Sequence, residues 1–395
     1  PRHVYQPGLL FVPFGGYRPD EIVRPRRRAL PPGAALVERT VERIQPSSQQ
    51  VILGDGTILP YDILVIASGS HLLHDETEGL RGEGWMSKVF DFYTLEGASA
   101  LARKFATWEG GRLVVNVIDM PIKCPVAPLE FAFLADAYFT KRGIRDRVQL
   151  TYVTPLDNAF TKPVAANALA HLLKDKGIEL VTEFATGQVD GANGRLVSWD
   201  EREVPFDILV TTPLHGGAQF VRETPGLGDD LGWVKTNPRT LQSQLAPNIF
   251  AIGDATNVPA SKAGSVVHFE AEVLDHNIAR FVAGEPLAED FDGHSNCFIE
   301  TGFDKALLID FNYEVEPLPG KFPSALGPLT LLRESRLNHL GKLAFRWVYW
   351  NVLLPGREIP GIAPQMPIAG KRRDLLPPSI LKPASRAPTH GGSAR

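Results

Sequence analysis

The chain has 395 residues, of which 44% are hydrophobic and 22% charged, and its formal net charge is −4. This length allows two or three domains with buried cores. The charge argues against nucleic acid as the main partner, and no apolar run of about 18 residues predicts a membrane-spanning helix. Two cysteines are too few for a secreted disulfide scaffold, and in a reducing compartment such a pair is more often catalytic or inert than structural.

The first predicted elements are a hairpin and a buried strand. Two apolar runs flank the turn Gly54-Asp55-Gly56, which predicts a β-hairpin. Asp62 then precedes the run "ILVIA", and such a β-branched run is typical of a parallel strand covered on both faces. Residues 97–108 follow as a predicted connecting helix.

Strands and helices alternate from residue 112 to 214, which predicts an α/β domain with a mostly parallel sheet. The predicted strands cover residues 112–118, 148–155, 178–184 and 206–213, with helices over 126–140 and 163–176 and a hairpin over 189–200. Beyond this domain the sequence predicts a buried strand over 248–255, a helix over 264–282, an antiparallel pair over 296–313, a partly amphipathic helix over 334–354 and a disordered basic tail over 371–395.

The loop "DMPIKCPVAP" of this α/β domain contains one of the two cysteines. Pro125 and Pro128 suit the first turn of a helix, which places Cys124 at or next to the N-cap of the predicted helix. The helix dipole and the neighbouring Lys123 both favour a thiolate over a thiol. The residues therefore predict an activated thiol, and a buried structural cysteine is the alternative.

Two further residues are candidates because of Cys124. Glu130 lies on the second turn of the same helix, where it either shuttles a proton or faces solvent. Cys297 opens a strand after "FDGHSN", and nothing in its local sequence activates it. The separation of the two cysteines along the chain neither requires nor forbids contact between them.

The strongest signal is "NIFAIGDA", a hydrophobic strand that ends in Gly253 and Asp254. Glycine lets the backbone approach a ligand closely, and a carboxylate accepts hydrogen bonds from sugar-like hydroxyls. Together with "YDILVIASG", this motif resembles the flavoproteins with two dinucleotide-binding domains of the glutathione-reductase type. The resemblance implies bound FAD. The motif "YDILVIASG", with Gly69, would close around the FAD, and Asp254 would hold its ribityl chain. Ser68 stands where that family usually has threonine.

In that family the second α/β domain binds NAD(P)H through a glycine-rich loop. The glycines permit the tight turn, and the helix N-terminus holds the pyrophosphate. The equivalent loop here contains three prolines and no glycine, and proline removes a backbone N–H donor. The sequence therefore argues against an enzyme that uses NADH.

Several segments together resemble one family, the sulfide:quinone oxidoreductases. They are "YDILVIASG", "IKCPVAPLEFAFLADAYF", "NIFAIGDATNVPASKAGSVVHFEAEVLDHNIA" and "NCFIETGFDKALLIDF". The resemblance covers residues 3–370. It implies an FAD-dependent oxidoreductase that oxidises sulfide at a cysteine pair and passes two electrons through FAD to a membrane quinone.

The resemblance also implies roles for individual residues. Cys124 and Cys297 would flank the flavin and form a disulfide or polysulfide bridge, with Glu130 as an acid/base. Lys262 would lie near the pyrimidine side of the flavin, where positive charge stabilises the reduced form. Many members have a third cysteine before the second domain, whereas residues 84–98 here contain none. A mechanism with two cysteines is therefore implied.

The segment "LNHLGKLAFRWVYWNVLLPG" is rich in aromatic residues and leucine and has flanking basic residues. Such a segment suits a helix that lies in a membrane surface, and a helix that covers the core is the alternative. The resemblance implies a peripheral, monotopic contact on the cytoplasmic face of the inner or cytoplasmic membrane, with Lys342 and Phe345 in the quinone pocket. The predicted apolar face comprises Leu340, Leu343, Trp347, Trp350 and Leu354. The residues predicted to lie at the level of anionic lipid headgroups are Arg333, Arg336, Lys342, Arg346 and Arg357, with Lys371–Arg373 of the tail in addition.

The implied architecture is two Rossmann-like domains followed by a C-terminal region that contacts the membrane. Predicted boundaries are 1–94 with 216–290 for the FAD domain, 95–215 for the second Rossmann-like domain with the active-site cysteine, 291–370 for the quinone and membrane region, and 371–395 for the tail. The sequence contains neither the GxGxxG loop nor the acidic residue of an FAD-binding βαβ unit, and "RHVYQPG" resembles the segment after that unit. We therefore expect the first βαβ, roughly 35 residues, to be missing from this sequence.

Other functions stay open on the sequence alone. An NADH:quinone oxidoreductase of the type II kind and a flavin-bearing redox sensor without turnover are both compatible with the fold, and so are homo-oligomers. His268, Glu272 and His276 repeat every four residues along one predicted helix. Packing of that helix accounts for them better than metal binding does, so no metal site is predicted.

Overall fold

A computed structural model of the protein describes residues 2–357, 359 and 361–376. Within these residues, helices and strands form a mixed α/β structure, and none of the helices has the length and apolar character needed to cross a membrane. Residues 377–395, most of the predicted disordered tail, lie outside the described residues.

Six α-helices are present in the described part of the chain. They are α1 (Leu95–Thr107), α2 (Ala127–Lys141), α3 (Pro163–Asp175), α4 (Gln219–Arg222), α5 (Gly264–Val282) and α6 (Arg336–Val348), and α6 continues as a π-helical turn over Tyr349–Leu353. Short 3-10 helices lie at Gln6–Leu10, Val12–Phe14, Pro19–Ile22, Arg26–Ala29, Pro46–Ser48, His74–Glu76, Arg145–Arg147, Gly253–Ala255 and Arg373–Leu375.

The strands fall into several small sheets around one larger sheet. In the first part of the chain they are β1 (Arg2–Val4), β2 (Val23–Pro25), β3 (Val41–Gln45), β4 (Gln50–Leu53), β5 (Ile58–Pro60), β6 (Leu64–Ile66), β7 (His71–Leu72), β8 (Val89–Phe90), β9 (Gly111–Val117), β10 (Val148–Val153) and β11 (Glu179–Val181). The later strands are β12 (Thr186–Asp190), β13 (Arg195–Ser198), β14 (Glu203–Pro205), β15 (Ile208–Thr212), β16 (His215–Gly216), β17 (Ile249–Ala251), β18 (Ser295–Gly302), β19 (Lys305–Phe311), β20 (Gly320–Phe322) and β21 (Leu329–Leu331).

The largest sheet has five parallel strands in the order β11-β10-β9-β15-β8. Every residue of β15 is buried, as expected for an apolar strand covered on both faces. The carboxyl end of β9 leads through the loop at residues 118–126 into α2, so this loop lies at the edge where parallel α/β sheets bind ligands. This alternation is the one that the sequence predicted between residues 112 and 214.

Two smaller pairings complete the frame of the site. β6 and β17 pair in parallel, with Ile66 opposite Ala251, so the segments after both strands start side by side. β18 and β19 form an antiparallel hairpin, with Cys297 opposite Ile309. The hairpin packs against α2, and α6 packs against the hairpin.

Helix α2 is apolar on almost all sides, which is typical of a helix inside the core. Its residues join the sheet, the hairpin and the N-terminal segment in the largest hydrophobic cluster of the protein. A second cluster joins the N-terminal segment to the end of α6 and includes Tyr5, Leu9, Ile22 and Trp350. The N-terminal segment therefore lies between α6 and the core.

The structure differs from the sequence prediction at the start of the basic tail. Lys371 is buried rather than disordered, and its ammonium pairs with the buried carboxylate of Asp310 on β19. His294 also contacts that carboxylate, from Nε2 at 2.8 Å. A buried carboxylate needs a cation or donor beside it, and the tail supplies one. Lys371 is therefore unavailable to lipid headgroups, contrary to the prediction.

Candidate functional site

Cys124 lies in the loop between β9 and α2, and hydrogen bonds fix this loop on both sides. The backbone N–H of Cys124 donates to the carbonyl of Lys262 at 2.6 Å, and its carbonyl accepts from the N–H of Ala127 at 2.9 Å. The hydroxyl of Tyr93 donates to the same carbonyl at 3.4 Å. Cys124 has a φ of 50°, a left-handed conformation that is uncommon outside glycine. The thiol is therefore held in a defined place beside the Lys262 segment.

The predicted activation of Cys124 by the helix N-terminus is not what the structure shows. α2 begins at Ala127 with Val126 as its N-cap, so Cys124 precedes the cap. Burial, reinforced by the charge of Glu130, raises the pKa of the Cys124 thiol to about 12, and Lys342 is the first charge that opposes this rise. Burial of the sulfur therefore opposes the predicted thiolate, and activation of Cys124 stays a prediction.

Cys297 reaches the same region from β18. Both cysteines are free thiols, both are partly buried, and both pack against the same hydrophobic cluster. Burial raises the pKa of Cys297, and charge on Cys124 raises it further. The two cysteines therefore pack against one cluster and interact electrostatically, and a bridge between them stays a prediction.

Glu130 is on α2 and faces β18, the strand that carries Cys297. Its side chain is only 1% exposed. Its Oε1 accepts from the ammonium of Lys342 on α6 and, at 2.7 Å, from the backbone N–H of Glu300 on β18. Lys342 also donates to the carbonyl of Phe298, next to Cys297, at 3.0 Å. One ion pair therefore connects α2, α6 and β18 beside the cysteines.

The charges at this ion pair are strongly shifted by burial. Burial raises the pKa of Glu130, and Lys342 counters only part of that rise. Burial alone would lower the pKa of Lys342, but the charges of Glu130, Cys124 and Glu300 raise it. Oε2 of Glu130 is buried and has no hydrogen-bond partner among the described residues. A carboxyl in this state can hold a proton near neutral pH, which suits an acid/base and excludes the solvent-facing alternative.

Gly69 and Gly253 follow the neighbouring parallel strands β6 and β17. Both have positive φ, of 70° and 68°. A Cβ on Gly69 would meet no other atom within 4 Å, so open space faces the backbone there. α5 starts at Gly264 without a side-chain cap, which leaves its first N–H groups available to an acceptor. These features fit a dinucleotide cofactor such as FAD.

Asp254 and Lys262 lie on the loop between this glycine and α5. Oδ2 of Asp254 accepts from the Ser70 hydroxyl at 3.4 Å, and burial raises the pKa of Asp254. The ammonium of Lys262 donates to the carbonyls of Asp254 at 3.1 Å and Thr256 at 2.8 Å, and burial lowers its pKa to about 8. Because the carbonyl of Lys262 also holds Cys124, the cofactor loop and the cysteine loop form one connected unit.

Comparison with known proteins gives relatives over nearly the whole chain, although no family model matches. The chain is 25% identical over 362 residues to the mitochondrial sulfide:quinone oxidoreductase of Mus musculus. This alignment covers 90% of this chain and 79% of that protein. The chain is 26% identical over 361 residues to the mitochondrial sulfide:quinone oxidoreductase of Dictyostelium discoideum, with coverage of 90% and 78%. The crystal structure of the Aquifex aeolicus sulfide:quinone oxidoreductase superposes with a TM-score of 0.74 at 20% identity, over 91% of this chain and 85% of that one.

These relatives and this structure support the interpretation of the chain as a sulfide:quinone oxidoreductase. The predicted α/β fold is confirmed, since it is the fold of this family's structure and of FAD-dependent reductases. These relatives likewise confirm FAD as the cofactor and an oxidoreductase activity. They support sulfide:quinone oxidation over the two alternatives, an NADH:quinone oxidoreductase and a redox sensor without turnover.

The quinone residues predicted for this sulfide:quinone oxidoreductase lie on α6 in different surroundings. Lys342 is largely buried against Glu130, so its predicted place among lipid headgroups is wrong. Phe345 packs in the cluster with Tyr5 and Trp350. The ion pair accounts for the difference, because a buried carboxylate on α2 draws the ammonium inward.

Sequence reasoning missed the contribution of the N-terminal segment. Phe11 lies with its ring centre 6.0 Å from the ammonium of Lys342, and Tyr17 lies 4.4 Å from the guanidinium of Arg346. The sequence shows aromatic residues at short intervals in this segment, but it does not say that they face α6. These rings place aromatic groups of the N-terminal segment beside Lys342 and Arg346 of α6.

An open cavity of about 330 Å³ reaches the site between the cysteine loop and the loop before α5. Its walls include Pro125, next to Cys124, together with Ile122, Trp233 and Lys262. The cavity is therefore a route by which a small solute reaches the loop that carries the thiol. Among residues 2–357, 359 and 361–376, no three His, Cys, Asp or Glu side chains are grouped to hold a metal ion.

Proposed function

We propose that Cys124 and Cys297 are the sulfide-oxidising pair of this sulfide:quinone oxidoreductase and that Glu130 is its acid/base. One observation supports the proposal: the only two cysteines of the chain pack against the same hydrophobic cluster and interact electrostatically with each other and with the buried carboxylate of Glu130. The site adjoins the loop with Asp254 and Lys262, which fits the cofactor. Sulfide and a quinone are the substrates that the family relationship supplies.

The chemistry starts from an oxidised cysteine pair. Hydrosulfide attacks one sulfur of a Cys124–Cys297 disulfide, so that a new S–S bond forms and the old one breaks. One cysteine becomes a persulfide that keeps the proton of hydrosulfide, and the other becomes a thiolate. When the pair closes again it releases one sulfur atom at the zero-valent level, one proton and two electrons. Quinone takes two electrons and two protons, so the net reaction converts hydrosulfide, quinone and one proton into zero-valent sulfur and quinol.

The residues around the site support these steps. Lys342 places a positive charge near the thiolate that the attack releases, since it acts on both Glu130 and Cys124. Glu130 exchanges the proton of the persulfide through its free oxygen. FAD, when bound, carries the electron pair from the cysteines to quinone. Gly69, Gly253 and Asp254 would hold it, and Lys262 would supply positive charge.

We further propose that quinone approaches along α6, past Lys342 and Phe345. Phe11 and Tyr17 of the N-terminal segment line the same side of α6. Aromatic rings of this kind suit the faces of a quinone ring. The C-terminal region, residues 291–370, would then be the quinone and membrane region, and the FAD and second Rossmann-like domains would keep their predicted boundaries.

A peripheral membrane contact is part of this proposal, with a narrower apolar face than the sequence predicted. Leu340 and Trp347 are exposed, and so is Leu337 one turn earlier. Of the predicted face, Leu343, Trp350 and Leu354 pack into the protein. We place Leu337, Leu340 and Trp347 in the surface of the inner or cytoplasmic membrane. Burial of a large apolar side chain contributes about 1.5–3 kcal/mol, so a few residues suffice for reversible attachment.

Arginines beside this face would meet anionic headgroups. The guanidinium of Arg24 lies 4.3 Å from the ring centre of Trp350, and the exposed Arg26, Arg27 and Arg28 follow it in the sequence.

Flotation with anionic liposomes tests the membrane contact, and the double variant Leu340→Gln with Trp347→Gln should no longer float with them. The matched control is Trp199→Gln, which removes an exposed tryptophan elsewhere. Flotation of the double variant at the wild-type level would contradict the membrane assignment.

One experiment tests the function as a whole. The full-length flavin-loaded protein is mixed anaerobically with sulfide or with NADH, and the flavin absorbance is followed. Sulfide should bleach the flavin and a soluble quinone should restore it, whereas NADH should leave it oxidised, because the loop before α2 has prolines where a pyrophosphate needs N–H donors. Bleaching by NADH but not by sulfide would overturn the proposal.

A further inference from the structure

A second buried carboxylate lies on the strand that carries Cys297. Glu300 is 1% exposed, and its backbone N–H donates to Glu130. Both of its carboxylate oxygens contact Nδ1 of His339 on α6, at 2.9 and 3.0 Å. Burial raises the pKa of Glu300, and Lys342 and His339 oppose the rise. A second buried acid, Glu300, therefore adjoins the Glu130–Lys342 pair, and His339 contacts this second acid.

His339 lies between this acid and the protein surface. Its side chain is 16% exposed, and its Nε2 lies 3.9 Å from the carboxylate of Asp304, which is 83% exposed in the turn between β18 and β19. One ring nitrogen therefore contacts the buried acid while the other contacts a group in water. An imidazole in this arrangement can accept a proton on one nitrogen and release one from the other.

Charged or titratable groups face Glu300 from each element packed around it. Glu130 comes from α2, Lys342 and His339 come from α6, and Asp304 comes from the hairpin turn. Tyr17 of the N-terminal segment also interacts with the charge of Glu300. The ammonium of Lys342 contacts only the inner acid, Glu130, but its charge also acts on Glu300, so both glutamates lie in the field of one cation.

The proposed reaction needs such a link to water. Its net equation consumes one proton for each hydrosulfide oxidised and each quinone reduced, and that proton comes from the medium. Glu130 is 1% exposed and has no direct exchange with bulk water. A group near the surface must therefore supply protons to the site.

We propose that His339 and Glu300 form the path by which protons pass between solvent at Asp304 and Glu130. This inference rests on the proposed function. A proton that arrives at Nε2 of His339 is matched by the transfer of the Nδ1 proton to Glu300. From Glu300 the proton passes inward to Glu130, whose carboxylate accepts from the backbone N–H of Glu300 and lies with it in the field of Lys342. Each turnover brings in one proton, which ends on quinol, and the path resets when the imidazole of His339 rotates and presents its protonated nitrogen to Glu300 again.

A purely structural role for the Glu300–His339 contact is the competing explanation, because the contact also fastens α6 to β18. His339→Gln separates the two roles, since glutamine can donate to Glu300 but cannot relay a proton. His339→Ala removes both functions and leaves room for added imidazole. His171→Ala on α3 is the matched control, because this histidine is exposed and lies outside the site.

The first measurement is sulfide-dependent quinone reduction across pH. Both His339 variants should lose about 10–100-fold in kcat, in the range of general acid–base effects, and the loss should grow with pH as protons become scarce. Imidazole should restore His339→Ala severalfold and leave His339→Gln and His171→Ala unchanged. Wild-type turnover by His339→Gln, or a folded His339→Ala that imidazole does not rescue, would overturn the proposal.

The second measurement needs no turnover. Infrared difference spectra of the resting holoprotein between low and high pH should contain a carboxylic-acid band that Glu300→Gln removes. In His339→Gln this band should persist to higher pH, because the imidazole no longer opposes protonation of Glu300. A band unaffected by both variants rules out the path. If wild-type protein fails to reduce quinone with sulfide, the proposed function fails, and these spectra alone still decide whether Glu300 and His339 share a proton.

Discussion

Two strand-to-helix junctions meet at the site of this protein, and their residues are opposite in kind. The junction from β17 to α5 has Gly253 at positive φ, an uncapped helix start and a partly buried aspartate. The junction from β9 to α2 has prolines and Cys124. Both lie at the carboxyl ends of parallel strands. The β17–α5 junction suits a cofactor because a ligand can approach its backbone N–H groups closely. The β9–α2 junction suits a reactive side chain instead, because its prolines lack N–H groups.

The two junctions are also joined, since the carbonyl of Lys262 in one accepts from the N–H of Cys124 in the other. Neighbouring loops of one α/β frame therefore serve two purposes, to hold a cofactor and to place a thiol beside it. The first residues of each loop differ most: Gly253 and Asp254 begin one, whereas the other contains no glycine and has prolines on either side of Lys123 and Cys124. Substitutions at each junction and in the ion pair behind them separate these purposes.

Replacement of the thiol at the proline-rich junction should have the largest effect. Cys124→Ser should slow the bleaching of flavin by sulfide by at least about 10³-fold, because a hydroxyl can neither form the bridge nor carry the electrons. Flavin content should stay at the wild-type level, since the other junction holds the cofactor. Anaerobic stopped-flow absorbance measures both quantities. Asp119→Asn, an exposed position of the same loop, is the control, and equal rates for wild type and Cys124→Ser would refute the role of this junction.

The ion pair behind the cysteine junction should give the next largest effect. Glu130→Gln and Lys342→Met should each lower the free energy of unfolding by about 3–5 kcal/mol, because each leaves a buried charge without its partner. The double variant should cost clearly less than the sum of the two, since it removes both charges. Urea unfolding of all four proteins gives the coupling directly. If the two losses of unfolding free energy were additive, Glu130 and Lys342 would not be coupled, and the ion pair would not stabilise the site.

A pH effect should belong to the glycine junction. Glu270 is fully buried beneath it and accepts a hydrogen bond from the N–H of Gly253, and burial raises the pKa of Glu270 from 4.5 to about 8. A carboxyl whose folded pKa is raised stabilises the fold below its unfolded pKa and loses that contribution as pH rises through the folded pKa. The wild-type free energy of unfolding should therefore fall between pH 4.5 and 8 by something on the order of 2–4 kcal/mol.

Glu270→Gln should make this fall clearly shallower, because glutamine keeps the hydrogen bond and does not ionise, and the remaining fall belongs to other buried carboxyls such as Glu130. Glu96→Gln, at an exposed position on α1, should leave the pH dependence unchanged. Urea unfolding from pH 4 to pH 9 compares the three proteins. A Glu270→Gln profile that falls as steeply as the wild-type profile would assign the effect to another group.

The smallest effect should come from the glycine itself. Gly253 has a φ of 68°, and an added Cβ would lie 3.1 Å from Cγ2 of Val267. Gly253→Ala should cost about 1–2 kcal/mol for the left-handed backbone, with a further loss from that contact and weaker retention of flavin. Gly56→Ala isolates the backbone cost, because Gly56 has a φ of 82° and open space around it. Equal destabilisation and equal flavin content in the two variants would show that the junction tolerates a side chain.

The structure agrees with the sequence prediction mainly in the elements around the candidate site, and each agreement has a local cause. The alternation of strands and helices, the Gly253-Asp254 turn and the proline-rich cysteine loop all depend on residues close together in the chain. The failures involved contacts between distant segments. Lys342 was predicted at the lipid surface and Lys371 in a disordered tail, but both pair with buried carboxylates, on α2 and on β19. Glu300 and His339 gave no signal, because a glutamate and a histidine in separate elements have no spacing that reveals contact.

The sequence by itself determined the α/β architecture, the loop that excludes a pyrophosphate and the residue types that carry the chemistry, because hydrophobic period, glycine and proline act over a few residues. Only the tertiary structure decided the charge state and the connections of the site. The raised pKa of Cys124 follows from removal of water by the surrounding core, and the Glu130–Lys342 pair follows from α6 packing against the hairpin that faces α2. Desolvation and ion pairing depend on which distant groups become neighbours, and the chain acquires those neighbours only when it folds.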